Sequence, residues 1–96
     1  MGSVTDKYRS ELYIADSNYK AELYKADSNY KAELYNVSTN YDASKKYVDK
    51  NTKLIEERYQ STTARVESVY KSRIDDAKER YNSTVLHIST KYNIPP

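Results

Sequence analysis

From Tyr8 to Tyr41 an apolar residue returns at steps of four, three and four: Tyr8, Leu12, Ala15, Tyr19, Leu23, Ala26, Tyr30, Leu34, Val37, Tyr41. The segment KAELYKADSNY at 20–30 is nearly repeated by KAELYNVSTNY at 31–41 and foreshadowed by RSELYIADSNY at 9–19. A unit of eleven residues that closes after three turns needs about 3.67 residues per turn, slightly more than the relaxed 3.6. A stripe of that period keeps contact with a partner only by winding right-handedly around it. The spacing predicts an all-α fold: a single long helix assembling into a right-handed, parallel hendecad coiled coil.

Composition narrows the alternatives. The chain has no Phe, Trp or Cys, one Gly, twelve Tyr, 31% charged residues and a mean hydropathy of −1.01. So few aliphatic residues leave little apolar surface to offset roughly 1–2 kcal/mol of backbone entropy per residue in a globular core. A disordered chain would have no reason to hold apolar residues in phase. The net charge of +2 is carried by interleaved Lys, Arg, Asp and Glu, so no basic face forms for nucleic acid. No apolar run approaches the roughly 18 residues of a membrane span, and no signal peptide is visible. Without cysteine there are neither disulfides nor thiolate zinc sites.

Along the chain, 1–3 reads as a cloning scar or a cap, 4–94 as one continuous helix, and 95–96 as a proline stop. Within the helix, 9–41 holds the near-identical repeats, 42–58 a register shift, and 59–92 diverged hendecads. Ser3 is a suitable N-cap with Asp6 in the first turn, and Asn93 a suitable residue for leaving the helix. Across the shift the spacing runs Tyr41, Lys45, Val48, Thr52, Ile55, Tyr59, one hendecad plus one heptad. A loop has no need to keep steps of three and four, so a continuous helix is expected there. Polar Lys45 and Thr52, with the poor helix former Asn51, make this a weak, wet layer. The pattern resumes as Tyr59, Thr63, Val66, Tyr70, Ile74, Ala77, Tyr81, Val85, Ile88, Tyr92. The apolar members of the whole register, Val48 and Ile55 included, form the predicted oligomer core.

Eight tyrosines (8, 19, 30, 41, 59, 70, 81, 92) share one step of the repeat. They are expected as core knobs that bury the ring and carry the hydroxyl to the rim. Tyr13, Tyr24 and Tyr35 are expected to broaden the stripe on one side. Covalent dityrosine cross-linking of an extracellular fibre is a sharper use of so many phenols. Acid-to-base pairs four apart, Asp16–Lys20, Asp27–Lys31, Glu67–Lys71 and Asp76–Arg80, belong to the outer face, as does Glu22.

No catalytic, cofactor-binding or metal-ligating set is found in the sequence. His87 stands alone beside Leu86 and Ile88, and the neighbours Asp75 and Asp76 face different directions on a helix. Asn36-Val37-Ser38 and Asn82-Ser83-Thr84 match the glycosylation pattern, which matters only for a secreted eukaryotic chain.

The segments IEERYQSTTARVESVY (55–70) and IDDAKERYNSTVLHIS (74–89) resemble the right-handed hendecad stalks of the tetrabrachion family of archaeal surface-layer proteins. That resemblance covers roughly 55–92; the heavy use of core Tyr departs from it. It implies parallel tetramers serving as spacers at the cell surface. The expected function is a structural homo-oligomer acting as stalk, spacer or filament subunit. Its partners would be copies of itself, as trimer, tetramer or filament, with no cofactor and no nucleic acid. The alternative is an amphipathic helix of eleven-residue repeats binding lipid or a membrane surface.

Overall fold

The computed structural model describes residues 3–47 and 52–95. They form two helices, α1 (Val4–Tyr47, 44 residues) and α2 (Thr52–Lys91, 40 residues), and no strand occurs among the described residues. Each outer end is capped by its own sequence. The Asp6 N–H donates to Ser3 Oγ at 3.1 Å and the Ser3 N–H to Asp6 Oδ2 at 3.5 Å, a reciprocal box that satisfies two otherwise unpaired donors. At the other end the Ile94 N–H donates to the Ser89 carbonyl at 2.8 Å and the Asn93 N–H to the Thr90 carbonyl at 3.2 Å. With Asn93 at φ 54°, this is a Schellman motif closed by a left-handed Asn. Lys45 and Lys46 occupy the last turn of α1, where cations oppose the negative end of its dipole.

Packing divides the chain into two units: Met1–Lys25 with Arg73–Pro96, and Ala26–Ser72. In the first, Tyr8 meets Tyr92 edge-on, centroids 6.0 Å apart at 77°, and Tyr19 stacks on Tyr81 at 4.8 Å and 23°. In the second, Tyr30 stacks on Tyr70 at 4.3 Å and 23°, and Tyr41 tilts against Tyr59 at 4.4 Å and 42°. Within each unit, eleven residues forward along α1 match eleven residues back along α2. The helices of each unit therefore run antiparallel.

This corrects the expectation of one continuous helix over 4–94. Tyr41 and Tyr59, which one uninterrupted helix would hold about 27 Å apart, are in ring contact at 4.4 Å. Val48 and Asn51 lie outside the described residues. Both halves carry the same stripe, so α2 offers α1 the surface that a second chain would have offered. Closing a short connection costs little entropy, whereas recruiting another molecule sacrifices translational and rotational freedom.

Among the described residues the buried apolar side chains are Ala15, Ala26, Val66, Ala77 and Ile88. Half-buried are Leu12, Leu23, Leu34, Val37, Ile55, Ile74, Val85 and the eight tyrosines of the repeat. In the first unit the tyrosine register sets Leu23 level with Ala77 and Ala15 level with Val85. Alternating large and small residues across facing helices lets them approach and interdigitate.

Candidate functional site

The tyrosine pairs are bordered by charged side chains that reach across the helix pair. In the first unit the Tyr81 hydroxyl donates to Asp16 Oδ1 at 3.2 Å, while Lys20 pairs with Asp16 Oδ2 at 3.3 Å. Burial, and then the hydrogen bond to Asp16, push the Tyr81 phenol above its ordinary value. Arg80 donates Nε and Nη2 to the Glu22 carboxylate at 3.1 to 3.4 Å, and Lys91 Nζ donates to Glu11 Oε1 at 3.0 Å. The Tyr92 hydroxyl, followed by Lys91, holds the Glu11 carboxyl below its usual value; Glu11 in turn raises both Tyr92 and Lys91.

In the second unit the Tyr41 hydroxyl donates to Glu56 Oε1. That bond is the main reason the Tyr41 phenol is raised. Lys45 lies 5.1 Å from the Tyr41 ring centroid and 3.9 Å from Glu56 Oε1, and the Tyr41 hydroxyl raises its ammonium. Lys45 thus belongs to the rim of this pair. A shallow groove of about 270 Å³ lies alongside, with Val37, Tyr41, Ser44, Ile55, Arg58 and Tyr59 among its walls.

Some sequence expectations land elsewhere. Glu22, expected on the outer face, and Arg80, expected to pair with Asp76, instead grip each other across the first unit. Tyr13, Tyr24 and Tyr35 do not broaden the buried stripe: they are 75%, 76% and 72% exposed. Asp16–Lys20 and Asp27–Lys31 form their four-apart pairs, at 3.3 and 3.0 Å. His87, Asp75 and Asp76 are exposed, and no His, Asp or Glu group able to hold a metal occurs among the described residues. The cross-helix roles of Glu11, Glu22, Glu56 and Lys91 were missed because they require the antiparallel pairing. One signal was available: the tyrosine positions are symmetric about the weak segment.

Two seam atoms, Thr63 Oγ1 and Ser89 Oγ, are buried without a hydrogen-bond partner. Each such hydroxyl costs on the order of 1–3 kcal/mol relative to a satisfied one. No described helix is long and apolar enough to cross a membrane. Comparison with known proteins finds no matching family model, no matching curated protein and no matching solved structure.

Proposed function

We propose that the protein is a structural, self-associating helical hairpin that serves as a stalk, spacer or filament subunit, with a second copy of itself as its partner. The observation that carries this reading is the exposed aromatic set on α1. In the first unit Tyr13 and Tyr24 lie eleven residues apart, three turns along one helix face, and both rings stand mostly in solvent. Tyr35 repeats the arrangement in the second unit. Within each unit, tyrosines at that same spacing pair across antiparallel helices. Two copies of α1 set antiparallel would meet Tyr to Tyr by the same rule, giving a self-complementary two-fold interface.

Half-buried Leu12, Leu23 and Leu34 have apolar surface left to contribute. The eleven-residue period further implies that the helix pair of each unit winds right-handedly.

Light scattering across a concentration series tests the proposal. The expected mass is a multiple of 11.2 kDa. The double substitution Tyr13→Ser with Tyr24→Ser should shift it toward a single chain while helicity is kept. A monomer at every concentration would sink the proposal, and helicity appearing only with anionic vesicles would point to lipid instead.

A further inference from the structure

We propose that Tyr19 and Tyr81 form an oxidative cross-linking site, where a one-electron oxidant joins the two rings as dityrosine and staples α1 to α2. Three features converge. The rings are held nearly parallel, centroids 4.8 Å apart and planes 23° from coincidence. The Tyr81 hydroxyl already donates to a carboxylate, Asp16 Oδ1, at 3.2 Å. Both rings are half-buried, so they are immobilised by packing yet open at the edge to a small oxidant.

Oxidation of a phenol is easiest when its proton leaves with the electron, and Asp16 stands within proton-transfer distance of the hydroxyl. Lys20 Nζ lies 3.3 Å from the other carboxylate oxygen, Asp16 Oδ2, and so helps hold the carboxylate in place beside the hydroxyl. In the first step the oxidant takes one electron from Tyr81, and its phenolic proton passes to Asp16 and on to water. A second equivalent takes an electron from Tyr19, whose proton goes to water. The two radicals combine between ring carbons ortho to oxygen, forming one C–C bond. Each joined carbon then sheds its hydrogen as a proton while the neighbouring oxygen regains one, restoring two phenols. The net change is two C–H bonds replaced by one C–C bond, with two electrons and two protons released and two equivalents of oxidant reduced.

Holding both rings together replaces a bimolecular encounter by an intramolecular one, which is the main gain over free tyrosines. Tyr13 and Tyr24 on the same helix are exposed, and the ring pairs of their unit join other tyrosines. The arrangement recurs in the second unit, where Tyr41 stacks obliquely on Tyr59 and donates to Glu56. The inference does not depend on self-association, since both rings belong to one chain.

The test is brief photolysis of the dilute full chain with tris(bipyridyl)ruthenium(II) and persulfate, followed by dityrosine fluorescence and peptide mapping. The expected product is a monomeric band lighter by two hydrogens per cross-link, with a peptide joining Tyr19 to Tyr81 and a second joining Tyr41 to Tyr59. Tyr81→Phe should abolish the first peptide and spare the second. Asp16→Asn, with circular dichroism showing unchanged helicity, should slow formation of the first several-fold. Equal yield of that peptide before and after urea unfolding would overturn the proposal, because pairing would then contribute nothing. Dityrosine confined to dimeric bands through Tyr13, Tyr24 or Tyr35 would overturn it as well. An unchanged rate in Asp16→Asn would remove the proton-acceptor role.

Discussion

Tyr30 and Tyr70 stack with ring centroids 4.3 Å apart and planes 23° from parallel, the closest of the four cross-helix tyrosine contacts. They join the two helices of their unit and add aromatic area to a seam otherwise built of aliphatic side chains and alanine. Each ring is half-buried, so truncation removes part of its apolar burial together with the contact. Tyr30→Ala and Tyr70→Ala should each destabilise by about 1–3 kcal/mol. A double-mutant cycle should return a coupling of about 0.5–1.5 kcal/mol, the range for aromatic pairs. Urea unfolding followed by circular dichroism measures all three. Strictly additive losses would mean that the rings do not interact in solution.

Antiparallel pairing fixes a short distance that an extended helix could not produce. The register of the first unit sets Ser17 level with Ser83, and both are exposed. Spin labels at Ser17→Cys and Ser83→Cys, in a chain with no native cysteine, should lie on the order of 10–20 Å apart across adjacent helices. One uninterrupted helix would hold them about 100 Å apart at 1.5 Å per residue. Dilution into unlabelled protein ensures that only distances within one chain are read. A long distance under dilution would restore the continuous helix.

Asn93 ends α2 in the left-handed region at φ 54°. Glycine has no Cβ to strain there, so Asn93→Gly should leave stability unchanged or raise it by up to about 1 kcal/mol. A β-branched residue resists that conformation, and Asn93→Val should lose about 1–2 kcal/mol. Thermal melts should rank the three as Gly, Asn, Val in falling order. Equal melting of the Val variant would show that this end frays without consequence.

The charged rims set a pH window for the hairpin. Glu11 is lowered in the folded chain, chiefly by Tyr92 and Lys91, from an ordinary value of 4.5. Its contribution is present above 4.5 and is lost as pH falls through the lowered value. Tyr41 and Tyr92, raised mainly by the carboxylates they meet, and Tyr81, raised mainly by burial, move above 10.0. Lys45 and Lys91, raised mainly by hydrogen bonds to Tyr41 and Glu11, move above 10.5. Those five contributions are complete below the ordinary values and lost as pH rises through the raised ones. Resistance to urea should therefore be flat between about pH 5 and 10 and fall on both sides, the alkaline fall tracking phenolate absorbance. Stability still rising past pH 11 would contradict the Tyr41–Glu56 and Tyr81–Asp16 contacts.

Much of the local structure was legible in the sequence. The Ser3–Asp6 cap, the Asn93 exit and the stripe from Tyr8 to Tyr92 follow from interactions within a few residues, which propensity and spacing record directly. The stripe also marks which residues need covering, and every described member of the predicted core is buried or half-buried. What covers them was a tertiary decision. A period of eleven is satisfied equally by a second chain or by the chain's own second half, because both present the same side chains. In the second unit the ring contact of Tyr41 with Tyr59 sets α2 against α1. Once the halves fold back, facing order reverses: Glu22 meets Arg80, Glu11 meets Lys91, and Tyr81 meets Asp16. Those contacts join residues 58 to 80 positions apart, beyond the reach of any local pattern.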